Sequence, residues 1–243
     1  MTYKGISGRE RKLLDELSRR RLTIFRPIDV SNILSESRDN TYRILSRMED
    51  KDLITRIEKG KYISTKDLEE TDIYETATHI LEPSYISLWS GLHKYGFTTQ
   101  VPRTVFVMTS IPKDDMVLQG QKIKFVKTKH FFGYTSENKL VIAEPEKLFI
   151  DCILYPHYSG GFQEIKSSFE KADVDEEKMI EYALKVDNKA LNSRLGYIME
   201  KINLDHDLDL LNKNRSISPI FLDPKKEEGK MNNKWNIIDN VGL

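Results

Sequence analysis

The chain reads as an α+β protein, and three observations predict it. From Ser37 to Tyr62 a basic amphipathic helical pattern runs directly into a short strand, a Lys-Gly turn and a second strand. Two further helical patterns with start signals precede it. Several β-rich runs and then a series of helical ones follow. The first two observations give the element order of a winged helix-turn-helix, expected over residues 1–66. The third predicts a mixed C-terminal domain over 67–243, with a small, mainly antiparallel sheet and several helices.

Ser7-Gly8-Arg9-Glu10 has capping-box spacing, and Leu13, Leu14 and Leu17 follow at helical intervals, so a first helix is expected from Gly8 to about Arg20. Leu22, Ile24 and Phe25 lead into a second helix, with Pro27 in its first turn and Ile28, Val30, Ile33 and Leu34 on its apolar face. Ser35-Glu36-Ser37 breaks the pattern and supplies caps for a third. In that helix Thr41, Ile44, Leu45 and Met48 are spaced to face the core. Leu53–Ile57 and Lys61–Ser64 read as a hairpin, with Glu58-Lys59-Gly60 at its tip and Gly60 supplying a positive φ.

The outward face of the third helix shows Arg38, Asn40, Tyr42, Arg43, Ser46 and Arg47. Arginine can bond both acceptors of guanine, and asparagine can pair with adenine. The N-terminal residues of a recognition helix lie deepest in the groove. Arg38, Asn40, Thr41 and Arg43 are therefore the expected base readers. Tyr42 and Arg47 are expected at phosphates, and Lys59 and Lys61 at the DNA backbone or minor groove. The bland alternative is a solvated basic helix beside a hairpin, or a winged helix that binds only protein.

Composition is consistent with this reading. The 243 residues carry 38 basic and 38 acidic side chains. Residues 1–66 hold 16 Lys+Arg against 10 Asp+Glu, so a zero total hides a basic N-terminal segment. Phosphate attraction is local and survives overall neutrality. No apolar run is long enough to span a membrane, and the first residues lack a signal-peptide core, so the cytoplasm is the expected compartment. Cys152 is the single cysteine, which excludes an intrachain disulfide and a cysteine zinc cluster.

Beyond the acidic spacing Lys66–Asp72, a helix is expected through Ile80-Leu81 and another from Ser84 to Tyr95, ended by Gly96. Strands are expected at Val101–Thr109, Lys122–Val126, His130–Tyr134 and Leu140–Ala143, with a turn at Ser136-Glu137-Asn138. Helices are expected at Pro145–Leu154, Gly161–Lys171, Glu176–Val186 and Asn188–Ile202, before an irregular tail after Leu210.

Other clusters also carry residues suited to chemistry. Glu144, Glu146, Lys147 and Asp151 could hold Mg²⁺ as in a nuclease. A Pro-started helix with acids near its positive end is the simpler account. The five histidines, His79, His93, His130, His157 and His206, show no paired metal spacing. Cys152 reads as a buried thiol. Gly160-Gly161 reads as a loop-to-helix turn rather than a phosphate loop. Tyr85, Trp89 and Tyr95 read as core, and Trp235 as an anchor for the tail.

Several segments in order resemble a known family: Gly60-Lys61-Tyr62, Tyr85–Phe97 (YISLWSGLHKYGF), Val101–Thr109 (VPRTVFVMT), Ile142–Leu154 (IAEPEKLFIDCIL), Gly160-Gly161, Ser193–Ile202 (SRLGYIMEKI) and Leu222–Trp235 (LDPKKEEGKMNNKW). Over nearly its whole length the chain resembles the AbiEi antitoxins, transcriptional regulators of type IV toxin–antitoxin systems in abortive infection. That resemblance implies a repressor that binds inverted repeats in double-stranded DNA upstream of its own operon. It also implies a nucleotidyltransferase-like toxin as functional partner without a stable complex. A single winged helix buries limited surface, so pairing of two copies on DNA is expected as well. No catalytic residue, cofactor, metal or membrane association is expected. The alternatives are a ligand-responsive winged-helix regulator without a toxin, or a metal-dependent nuclease.

Overall fold

The computed structural model describes residues 5–137, 139–204 and 208–243. It is a mixed α+β protein of two compact units, Met1–Glu82 and Pro83–Leu243. The sequence places the division after residue 66. The helices Thr65–Glu70 and Ile73–Ile80 instead belong to the first unit, because they pack back on its sheet.

In the first unit, α1 (Gly8–Arg19) starts at a completed capping box: Ser7 Oγ accepts from Glu10 N, and Glu10 accepts from Ser7 N at 2.7 Å. Glu10 also pairs with Lys51 at 2.8 Å. Then come β1 (Ile24–Phe25), α2 (Pro27–Leu34) and α3 (Arg38–Asp50). Pro27 opens α2, where its missing N–H costs nothing. Ser35, in left-handed conformation, closes it. Ser37 caps α3 through Asn40 N. The hairpin β2 (Ile54–Glu58) and β3 (Lys61–Ser64) turns at Gly60, whose φ of +77° is the expected positive one. The segment read only as a lead into the second helix holds β1, which pairs antiparallel with β3 to make a three-stranded sheet. The last helices are α4 (Thr65–Glu70) and α5 (Ile73–Ile80). The core is Leu13, Leu17, Phe25, Val30, Ile33, Ile44, Leu45, Met48, Leu53, Ile54 and Tyr62. Burying each large member contributes about 1.5–3 kcal/mol.

The second unit opens with β4 (Ser84–Ile86) and α6 (Leu88–Lys94), where one helix from Ser84 to Tyr95 is expected. Tyr85 and Ile86 extend because they pair with Met108 and Val107 on one side, and Ile86 pairs with Ile142 on the other. Leu88, at φ +56°, makes the sharp change of direction into the helix. The sheet continues with β5 (Thr104–Thr109), β6 (Met116–Leu118), β7 (Gln121–Lys127), β8 (Tyr134–Glu137) and β9 (Leu140–Ala143). Its order is β6-β7-β5-β4-β9-β8. Pairs β4–β5, β6–β7 and β8–β9 are antiparallel, whereas β5–β7 and β4–β9 are parallel. The strand expected over His130–Tyr134 begins only at Tyr134, which pairs with Ala143. Ser136, expected in a turn, is instead paired with Val141, while Asn138 lies outside the described residues.

The helices are α7 (Pro145–Leu154), α8 (Gly161–Phe169), α9 (Glu176–Val186), α10 (Lys189–Lys201) and α11 (Asp209–Lys213), with a 3-10 turn at Pro156–Tyr158. Leu148, Phe149, Ile150, Cys152 and Ile153 of α7 are all buried, and the Phe149 ring stacks with both Phe97 and Phe169. The tail is more ordered than expected. Strands β10 (Ile220–Phe221), β11 (Lys230–Asn232) and β12 (Ile237–Asp239) form a small sheet held to α10. Arg194 donates to the carbonyls of Phe221 and Leu222, and Tyr197 OH to Asp239. Trp235 is fully buried against Gly196, where a Cβ would lie 2.1 Å from the indole, and its Nε1 donates to Glu200.

Candidate nucleic-acid interface

The candidate interface is the solvent side of α3 together with the hairpin tip. Thr41, Ile44, Leu45 and Met48 are buried on the opposite side of the helix, and that burial orients the rest. Arg38, Tyr42, Arg43, Ser46 and Arg47 are exposed. Among the described residues, Arg38, Arg43 and Arg47 form no ion pair or hydrogen bond, so their guanidinium groups are uncommitted. Tyr42 is 44% exposed between them. Asp39 in the first turn and Glu49 and Asp50 at the C-terminal end are also exposed, so Arg43 and Arg47 lie between acidic side chains.

Thr41 corrects the expected set. It is 1% exposed, and its hydroxyl donates to Ser37 O at 2.9 Å, one turn back. The spacing that puts Leu45 and Met48 in the core puts Thr41 there too, so it cannot reach a base. Asn40 is half-buried, and its Nδ2 donates to Glu36. Glu36 also receives Arg9 of α1 at 2.8 Å. Neither Arg9 nor Glu36 stands out in the sequence, because the contact between them joins two helices across the fold.

At the hairpin, Lys59 is exposed at the tip beside Gly60. Lys61 differs from expectation. It is half-buried, pairs with Glu58 at 2.9 Å and donates to the carbonyl of Ile80. Its charge serves the first unit itself rather than a distant phosphate. Arg56 on β2, which the sequence reading passed over, is exposed. Burial pushes the Tyr62 hydroxyl up, Glu49 and Tyr42 add to this, and Arg56 opposes it.

The acidic cluster does not assemble as a metal site. Glu144 accepts from Tyr182 OH and lies 3.3 Å from Lys178. Glu146 accepts from Asp175 N, and its other oxygen makes an ion pair with Lys178 at 3.2 Å. Asp151 is fully buried and accepts from Lys147, Tyr85 OH and Ser87 Oγ. Among the described residues, no group of three His, Cys, Asp or Glu side chains could hold a metal. His206 lies outside the described residues. Burial pushes the Cys152 thiol well above its usual range, as for an inert core cysteine. No helix among the described residues is long and apolar enough to cross a membrane.

No family model matches the chain, and no curated protein matches it. Among solved structures it is similar to the crystal structure of RV2827C protein from Mycobacterium tuberculosis, with a TM-score of 0.64 and 12% identity. The likeness covers 97% of this chain and 92% of that one. At this identity it is a likeness of fold, and the mixed α+β architecture is what the two proteins share.

Proposed function

We propose that the protein is a sequence-specific DNA-binding repressor whose residues 1–66 form a winged helix-turn-helix, with α3 as recognition helix and the β2–β3 hairpin as wing. The observation that carries this reading is the row of uncommitted guanidinium groups on α3, at Arg38, Arg43 and Arg47, with Tyr42 among them. Those side chains can bond guanine edges and phosphates without first breaking an internal pair. Asn40 supplies an amide for adenine, and Lys59 a cation for the backbone. One such module covers a short site, so two copies on an inverted repeat are part of the proposal.

The resemblance to AbiEi antitoxins supports the biological half of the reading. The chain would repress its own operon by occluding the promoter, and would counter a nucleotidyltransferase-like toxin without forming a stable complex with it. The second unit would carry the antitoxic role.

The deciding experiment is binding to the DNA upstream of its own coding sequence, with scrambled duplex as control, across a salt series. Tight, selective binding with a protected inverted repeat is expected. Weak binding that is indifferent to sequence would defeat the repressor reading.

A further inference from the structure

Glu36 sits in the turn between α2 and α3 and is fixed from several directions. Its backbone N donates to Ser31 O at 3.2 Å, and its carbonyl accepts from Ser31 Oγ at 2.7 Å. Ser35 before it holds φ +54°, and Ser37 after it is the α3 cap. Its carboxylate is divided between two partners. Oε1 takes the Arg9 guanidinium at 2.8 Å, and Oε2 takes Asn40 Nδ2. The Glu36 side chain is 16% exposed, whereas Arg9 is 65% exposed. The carboxylate is thus tucked against the fold with its charge matched.

This arrangement resolves the orientation of Asn40. An ionised carboxylate only accepts, so the amide nitrogen must be the atom that faces it. Asn40 Oδ1 is then turned away from Glu36, and the second Nδ2–H remains unspent. Reading adenine needs that pair side by side, an oxygen to accept from N6 and an N–H to donate to N7. The backbone N of Asn40 donates to Ser37 Oγ at 3.4 Å, which holds the first turn of the helix under the amide.

We propose that Glu36, anchored by Arg9, is a positioning residue that presents the Asn40 amide to an adenine edge in the major groove. The proposal rests on the reading of α3 as a DNA-recognition helix and adds the specificity of one of its contacts. Glu36 touches no base. It lowers the entropy lost when Asn40 engages one, and Arg9 cancels a charge that would otherwise repel the nearby phosphates.

The test uses the full chain and the best-bound duplex selected from a random-sequence library, with every base pair replaced singly. The native chain should discriminate at one A·T position per half-site. Asn40→Ala should flatten that position by about ten-fold. Glu36→Ala should flatten the same position to a similar degree and leave the others near native. Glu36→Gln keeps an oxygen for Asn40 Nδ2 and should retain most of the preference. Arg9→Ala should lose part of it. Thermal melting checks that each variant is folded, and Arg9→Ala and Glu36→Gln carry the test if Glu36→Ala is not.

A native base profile in Glu36→Ala would overturn the proposal. So would a uniform loss at every position, which is what a simple brace between α1 and the turn would give. An unchanged profile in Asn40→Ala would overturn it as well. Failure of the native chain to select any sequence would instead defeat the reading of α3 itself, so the two failures are distinguishable.

Discussion

Lys147 and Asp151 form an ion pair one helical turn apart with both side chains fully buried. Tyr85 OH and Ser87 Oγ also donate to Asp151, at 3.1 and 2.9 Å, and Lys147 Nζ reaches Tyr85 OH at 3.0 Å. Both oxygens of the carboxylate are bonded inside the unit, which explains how one of the carboxylates that suggest a nuclease can sit in an apolar core.

Breaking that pair from one side should be costly. Lys147→Ala leaves a buried, uncompensated carboxylate and should destabilise the second unit by about 3–5 kcal/mol. The double change Lys147→Met with Asp151→Leu should cost far less. Denaturant unfolding followed at the second unit's transition measures both, and equal losses would show that the ionic pairing is not what matters.

Arg43→Ala should relax base preference in the selected site and cost roughly 1–3 kcal/mol of binding. Lys59→Ala should weaken all duplexes alike and lower the salt slope by about one unit. Lys61→Ala should leave the slope unchanged, because its ammonium is already held by Glu58 and Ile80. Titrations of the three variants across salt separate these outcomes.

Glu10 gives the first unit an acid limit. Burial raises its pKa, but bonds from Lys51 and Ser7 outweigh that and hold it below the ordinary 4.5. A depressed carboxylate adds stability above its unfolded pKa, and that stability is lost as pH falls through the folded one. Stability of the first unit should therefore drop as pH falls below about 4.5, and Glu10→Gln should be less stable at neutral pH with a shallower acid limb. Melting curves between neutral and strongly acidic pH read this directly.

The tail should depend on Trp235. Trp235→Ala empties a fully buried site and should cost about 3–5 kcal/mol. Gly196→Ala should be harmful from the other side, by about 1–3 kcal/mol, since its methyl meets the indole. Hydrogen exchange should then show β10, β11 and β12 opening before α7.

The legible parts were those set by local spacing. Ser7 with Glu10, Pro27, and Ser37 with Thr41, Leu45 and Met48 fix helix starts and faces within a few residues of chain. Thr41 was itself legible, since its spacing is that of the core, and chemical suitability was no reason to turn it outward. The β4–α6 segment was not. Tyr85 and Ile86 are both buried, so no alternation marks the strand, and its partner Ile142 lies far along the chain. Separation along the chain also hid Lys61 with Ile80 and Arg9 with Glu36. Charges look free in a sequence until the fold supplies their partners.

The indole of Trp235 meets Glu200 across 35 residues of chain. A ribosome therefore delivers α10 well before the ring that seals it. During that interval the bare backbone at Gly196 is an open apolar slot on a nascent chain, where another polypeptide's side chain could lodge. Chaperone dependence should be concentrated in the interval between synthesis of α10 and synthesis of Trp235.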